Sequence, residues 1–123
     1  MWKLKGIEPD LLDYGKRKMA VVAPAYPLRP EIIESAFYLY RATRDPRYLE
    51  MGKTFFEGIR SRCRTEAGAT VLTSVVTDQK GDLMPSYYLA ETLKYLYLLF
   101  SDEPVDLEKA VFNTEAHPLR RTW

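Results

Sequence analysis

Glu31 and Glu34 follow Pro30 at a spacing of three, so a helix beginning there shows both carboxylates on one face, with Arg29 just outside it. Two readings apply. Acidic residues in a first helical turn stabilise it through the helix dipole by ~0.3–1 kcal/mol, and spacing alone favours that account. The other is a pair of carboxylates in a pocket, where Arg29 would favour the ionised form that a general base needs. Glu91 lies between Tyr87 and Tyr95, each one helical turn away. A carboxylate in that company either reaches out to water or is buried with a partner, and the second case makes a candidate site residue. The stripe Tyr87, Tyr88, Tyr95 and Tyr97 reads as core before it reads as a platform for a sugar. Thr114 and Glu115 form a polar pair after Val111-Phe112; a threonine hydroxyl there commonly bonds nearby backbone in a turn. His117, before Pro118, reads as a surface or structural residue, and Cys63 as a small packing residue.

The rest of the composition removes whole classes of chemistry. One cysteine and one histidine in 123 residues exclude an internal disulfide, a multi-cysteine zinc site and multi-histidine metal centres. No glycine-rich phosphate loop, Ser-His-Asp order or calcium-binding helix-loop-helix pattern is present. The net charge of +1 carries no electrostatic footprint for nucleic acid or an anionic membrane. The longest clear apolar run, Tyr95 to Phe100, is six residues, against the ~20 of a spanning helix. The opening MWKLKGIEPDLLDYG lacks the apolar core of a signal peptide, so a chain read literally from Met1 would be cytosolic.

The elements that must position these groups follow from proline placement and apolar periodicity. Lys18 to Ala23 reads as extended. A helix starts at Pro30, with Ile32, Ile33, Ala36, Phe37 and Tyr40 as its apolar stripe. Asp45 as N-cap and Pro46 as first helical residue restart the pattern. Tyr48, Leu49, Phe55, Phe56 and Ile59 carry it to about Arg62. The short link between them implies an antiparallel helical hairpin. Val71, Leu72, Val75 and Val76 are mostly β-formers, with a turn or loop at Asp78 to Asp82, which predicts a short hairpin or extended excursion. A third helix runs from about Pro85 to Phe100, and from Tyr87 onward only Glu91, Thr92 and Lys94 are neither apolar nor aromatic. Such a helix is packed on most sides, and two other helices with one stripe each cannot surround it. The pattern therefore points to a piece of something larger. A loop, SDEPVD, and a turn of helix at Leu107 to Ala110 come before Val111-Phe112.

Three separated strings, YPLRPEIIESAFYLYRATRDPRYLEMG, SYYLAETLKYLYLLFSDEP and VFNTEAHPLR, closely resemble glycoside hydrolase family 47 over nearly all of residues 26–120. These are the class I α-1,2-mannosidases and the related mannosidase-like proteins of glycoprotein degradation. The resemblance implies an all-α fold, the C-terminal part of an (α/α)7 barrel with a short β-like excursion, and makes residues 1–123 a single partial domain. It implies inverting hydrolysis of terminal α-1,2-linked mannose with Ca2+ as cofactor. Glu31 matches the family's proposed general base. Arg29, Glu34 and Glu91 match pocket residues, and Tyr87 an aromatic substrate contact that is normally phenylalanine. Thr114 matches the residue that binds calcium directly, and Glu115 a carboxylate beside it.

The residue types suit that chemistry. Inversion uses one carboxylate to activate water and another, on the opposite face of the sugar, to protonate the leaving oxygen. Calcium takes six to eight oxygen ligands. The implied partners are a mannose-containing oligosaccharide and the missing N-terminal part of the barrel, where the family's general acid lies; the fragment alone is then expected to be inactive. The family works in the secretory pathway, endoplasmic reticulum or Golgi, in eukaryotes, and bacterial relatives are expected to be exported. Met84-Pro85-Ser86 departs from the Met-Glu-Ser often found in the family and removes an acid at the pocket rim. That loss keeps a second reading open, a mannose-binding, weakly or non-catalytic quality-control protein on the same barrel. A helical interaction module without a sugar site is the plainest alternative.

Overall fold

Proline sets the entry to both long helices. In the computed structural model, which describes residues 6–15, 19–102 and 105–123, α1 is Glu31–Thr43 and α2 is Arg47–Arg62. Pro30, expected as the first helical residue, is instead the cap of α1: its φ of −89° already suits the helix, and its carbonyl accepts the Glu34 N–H at 2.9 Å. The α1 C-terminus is closed by Arg44 in the left-handed conformation, φ 57°, with its N–H donating to the Tyr40 carbonyl at 2.8 Å. Asp45 caps α2 as the sequence indicates. Its Oδ1 accepts the Arg47 N–H at 2.9 Å and its Oδ2 accepts the Arg47 Nε at 2.6 Å. The Arg47 amide, and after it the guanidinium, hold the Asp45 carboxyl below the usual carboxylate range.

The described residues fall into two compact units. One comprises the chain up to Leu28 together with Lys53–Pro85. Here β1 (Leu11–Asp13) pairs antiparallel with β2 (Ala20–Ala23), with a register shift between Leu11 and Leu12. Lys18, the start of the expected extended stretch, lies outside the described residues. Phe55, Ile59 and Cys63 recur at four-residue spacing along α2 and its exit and are fully or almost fully buried. Phe56, counted with them from sequence, is exposed. Gly58 permits a close backbone approach: a Cβ there would lie 2.8 Å from the carbonyl of Gly6. Tyr26 stacks edge-on against Phe55, ring centres 6.0 Å apart, and its backbone exchanges hydrogen bonds of 2.8 and 2.9 Å with Leu72.

The expected hairpin is present as β3 (Leu72–Ser74) and β4 (Gln79–Lys80). Its turn lies at residues 75–78, ahead of the Asp78 to Asp82 segment read from sequence. Ser74 Oγ accepts the Val76 and Thr77 N–H groups at 3.2 and 3.3 Å, and Asp78 takes a positive φ of 58°. Local side-chain bonding therefore overrides the β-propensity of Val75 and Val76. Arg62 braces the turn from α2 by donating to the Val75 carbonyl and the Asp78 carboxylate.

The other unit comprises Arg29–Gly52 and Ser86–Trp123 and holds all the residues singled out for chemistry. Ile33, Ala36 and Phe37 form the buried stripe of α1, with Ile32 and Tyr40 half-buried at its edges. Residues 86–100 are helical, starting one place after Pro85. The sequence did not indicate that Tyr88–Leu93 is π-helical; α-helix α3 then runs Lys94–Phe100. Tyr88, Thr92, Tyr95, Leu96, Leu98 and Leu99 are buried. Gly52 of α2 admits the neighbouring side chains, since a Cβ there would be 2.3 Å from Leu99 Cδ2 and 3.2 Å from Ile33 Cδ1. Leu89, Tyr97 and Phe100 stay exposed, so one face of this helix is uncovered, as its all-round apolar pattern implies.

The segment after the third helix also departs from expectation. Glu103 and Pro104 of the SDEPVD loop lie outside the described residues. The turn of helix expected at Leu107 to Ala110 is a turn closed by Asp106, whose carbonyl accepts the Lys109 and Ala110 N–H groups at 3.0 Å. Ala110 already belongs to β5 (Ala110–Phe112), which pairs in register with β6 (Pro118–Arg120), Val111 opposite Leu119. The strands enclose the short 3-10 turn Thr114–Ala116. Among the described residues there are thus three two-stranded sheets, where the sequence suggested one short excursion. No helix among the described residues is long and apolar enough to cross a membrane.

Candidate active site

The first turn of α1, the π-helical turn and the Thr114–Ala116 turn together present the carboxylates. Leu28 immediately before Arg29 has φ 62°, a conformation that branched side chains rarely adopt, and it turns the backbone just ahead of Arg29-Pro30-Glu31. Arg29 Nη1 lies 3.8 Å from Glu31 Oε1, and both side chains are well exposed. One turn along, Glu34 is half-buried and its Oε1 accepts a 3.0 Å hydrogen bond from the Tyr95 hydroxyl. Burial pushes the Tyr95 phenol well above the usual tyrosine range, and Tyr38 and Glu34 push the same way. Tyr95 is packed against Phe37, Tyr38 and Phe112, with ring centres 5.8, 6.1 and 6.0 Å away.

Glu91 lies within the π-helical stretch and is half-buried. Its carboxyl is pushed above the usual range by burial first and by the Glu34 charge next, with Glu115 and Glu31 adding to the effect. The Glu115 backbone N–H acts in the opposite direction. The charges that act on Glu91 therefore come from separate parts of the sequence. Tyr87, half-buried, is the residue just before the π-helical stretch.

Thr114 is exposed at the start of its turn, and Glu115 is half-buried. Glu115 and Ala116 have φ of 60° and 50°, two consecutive non-glycine residues in the left-handed region, each at a cost of ~1–2 kcal/mol. Two side chains of the helix spanning 86–100 bond to this strained pair. Ser86 Oγ donates to Glu115 Oε1 at 2.9 Å, and Lys94 Nζ donates to the Ala116 carbonyl at 2.7 Å. Asn113 closes the turn from its own side, with Oδ1 accepting the His117 N–H at 2.9 Å and its carbonyl accepting the Ala116 N–H at 3.0 Å. His117 itself is exposed.

The sequence reading did not assign Ser86, Lys94 or Tyr95 to the site. Lys94 left a trace there, as the one cation in a mostly apolar helix. Tyr95 left none beyond its place in the aromatic stripe.

Comparison with known proteins places this arrangement. The family model described as glycosyl hydrolase family 47 matches residues 7–121. Alpha-mannosidase I MNS5 from Arabidopsis thaliana is 40% identical over 125 residues, covering 98% of this chain and 21% of that protein. Mannosyl-oligosaccharide 1,2-alpha-mannosidase MNS1 from the same plant is 51% identical over 94 residues, covering 76% of this chain and 17% of that protein. ER degradation-enhancing alpha-mannosidase-like protein 3 from Homo sapiens is 47% identical over 97 residues, covering 76% and 10%. Among solved structures, the alpha-1,2-mannosidase from Trichoderma reesei superposes with a TM-score of 0.79 at 36% identity, covering 87% of this chain and 24% of that one. The chain spans about a fifth or less of the length of these curated relatives. Its fold is part of an (α/α) barrel, and with the match spanning residues 7–121 the chain belongs to glycosyl hydrolase family 47.

Proposed function

We propose that this chain is a single partial domain of a longer mannosidase. That enzyme removes terminal α-1,2-linked mannose from mannose-containing oligosaccharides by inversion, in the secretory pathway or, in a bacterium, after export. The observation that carries the reading is that the helix spanning 86–100 bonds both Glu34 of α1, through Tyr95, and the Thr114–Ala116 turn, through Ser86 and Lys94, within one unit. In this reading Glu31 is the general base. Its exposed carboxylate, with Arg29 beside it at 3.8 Å, is free to take a proton from a water attacking the anomeric carbon. An inverting reaction needs a separate acid on the far side of the sugar, which the longer protein would supply. Glu34, fixed by Tyr95, and Glu91 would line the pocket as acceptors for sugar hydroxyls. Tyr87 offers a ring for the apolar face of a pyranose.

Among the described residues no group of three His, Cys, Asp or Glu side chains forms a protein cage for a metal. A hard cation that keeps most of its water needs no such cage. It needs oxygen donors and nearby negative charge, and the exposed Thr114, with a hydroxyl and a carbonyl oxygen and Glu115 next to it in the chain, offers both. Thr114 would hold Ca2+ directly, with Glu115 beside it. A bound calcium ion would supply oxygen-coordination positions that orient sugar hydroxyls.

The test is to follow α-1,2-mannobiose hydrolysis by proton NMR in a full-length protein carrying these residues. β-Mannose as the first-formed product supports the reading, and α-mannose overturns inversion. Pro85, where an acid is often found in the family, favours a second reading, a mannose-binding protein of weak or absent turnover. Saturable mannoside binding without any hydrolysis would select that alternative.

A further inference from the structure

We infer that Lys94 is a positioning residue: its ammonium, seated on the Ala116 carbonyl, holds the Thr114–Ala116 turn in the left-handed geometry that presents the Thr114 oxygens. The inference rests on the calcium reading above. Three observations carry it. First, Glu115 and Ala116 are consecutive non-glycine residues at φ 60° and 50°, a conformation that persists only when surrounding groups impose it. Second, the local bonds at Asn113 close the ends of the turn but leave the Ala116 carbonyl to another donor, and that donor is Lys94 Nζ at 2.7 Å, 22 residues away in sequence. Third, the adjacent residue is held by the same helix, through Ser86 on the Glu115 carboxylate. That contact holds the Glu115 side chain. Of the two helix side chains that bond this turn, the lysine is the one that reaches the second left-handed residue. Ala116 is fully buried, so its carbonyl cannot exchange Lys94 for bulk water without a shift of the turn.

The chemistry of the contact is an ammonium donating to a neutral carbonyl. Its direct effect is on backbone geometry. Any effect on a cation at Thr114 passes through the position of the Thr114 hydroxyl and carbonyl. Lys94→Met keeps the aliphatic stem and removes the donor, while Lys94→Arg keeps a donor.

The experiment uses the full-length protein that carries these residues, with two readouts. Calorimetric titration reports calcium affinity, and hydrogen exchange followed by NMR reports protection of the Ala116 amide, which donates to the Asn113 carbonyl at 3.0 Å. Lys94→Met should weaken calcium binding by ~10-fold or more, as loss of a residue that orients a ligand does, and should raise exchange at the Ala116 amide by at least about 10-fold. Lys94→Arg should recover most of both. Adding Ala116→Gly to Lys94→Met should recover exchange protection, because glycine adopts a positive φ without the lysine. Wild-type calcium affinity and wild-type protection in Lys94→Met would overturn the inference, as would an Ala116 amide that is unprotected in the unmodified protein. If the unmodified protein binds no calcium yet Lys94→Met still loosens the turn, the calcium reading fails and the hold of Lys94 on the turn stands. If Lys94→Met does not fold, Lys94→Arg with wild-type protection supports the inference, and Lys94→Arg with the protection lost overturns it.

Discussion

The Tyr95 hydroxyl donates a 3.0 Å hydrogen bond to Glu34 Oε1 from a ring that is 1% exposed, joining residues 61 positions apart. One buried phenol thus sets the orientation of the Glu34 carboxylate while its ring fills the core against Phe37 and Phe112. Tyr95→Phe separates these two roles, since it keeps the ring and deletes the donor. The variant should lose ~1.5–3 kcal/mol, the range for hydrogen bonds to charged groups, read as an unchanged urea m-value with a lowered midpoint. The phenol also titrates late. Its folded pKa is raised, so its contribution to stability is complete below the unfolded tyrosine pKa of ~10 and declines as pH rises beyond it. Ultraviolet titration of the native chain should show one tyrosine ionising after the others, and Tyr95→Phe should remove that step. A full complement of normal tyrosine transitions in the native chain would count against the assignment.

Glu31→Gln in the full-length protein removes the proposed proton acceptor and keeps the shape of the side chain. Turnover of α-1,2-mannobiose should fall by ~10²-fold or more, while mannoside binding stays measurable, because the base acts on the transition state more than on the bound substrate. Steady-state rates together with a binding titration check this. A rate within about threefold of the unmodified enzyme would remove Glu31 from the base role.

Thr114→Ala deletes one of the two oxygens offered to a cation. Calcium affinity should drop, and the melting temperature should fall in calcium but not in chelator, since a ligand stabilises only the state that binds it. Calorimetry on the variant decides the matter: an unchanged affinity excludes the Thr114 hydroxyl from the site.

The parts of this picture that were legible in the sequence share a local cause. Pro30, Asp45 and Pro46 determine helix starts through their own geometry and side-chain bonds, and the α1 stripe of Ile33, Ala36 and Phe37 follows from periodicity. Arg29, Glu31, Glu34, Glu91 and Thr114 stood out as candidates by residue type and spacing, and the roles proposed for them come from the resemblance of their strings to a family. The π-helical stretch over Tyr88–Leu93 was not legible, because no residue type marks it. The β5–β6 hairpin was missed because its strands are short and Pro118 opens the second of them. Ser86 and Lys94 acquire their roles from partners 29 and 22 residues away, distances over which local pattern says nothing.

Cys63 tests the burial of the first unit. It is 0% exposed, and burial pushes its thiol up to about 11. The native thiol should resist iodoacetamide at pH 8 and react freely in denaturant. The folded pKa lies above the unfolded one, so this group's contribution to stability is complete below about 9 and is lost as pH rises from there towards 11. Rapid native alkylation at pH 8 would contradict the burial.

Gly58 supplies the sharpest packing test. A methyl group at this position would sit 2.8 Å from both the carbonyl carbon and the carbonyl oxygen of Gly6, and 3.1 Å from the Gly6 Cα. These neighbours are backbone atoms, so relief requires a segment to move and cannot come from a side-chain rotation. Gly58 is also helical, and in an open helix Gly→Ala would gain up to ~1 kcal/mol from propensity. Contact and propensity therefore oppose each other. The contact should prevail, because overpacking against fixed structure typically costs ~1–3 kcal/mol. Gly58→Ala should lower the denaturation midpoint, and Gly6→Ala should do so as well, since Gly6 has φ +75° and a Cβ there would meet Gly58 Cα and the Thr54 carbonyl at 3.1 Å. If the two positions share one contact, the double variant should cost less than the sum of the single ones. Equilibrium denaturation of the four proteins settles the question. A Gly58→Ala chain as stable as, or more stable than, the unmodified one would mean that the approach of these two segments is looser than 2.8 Å requires.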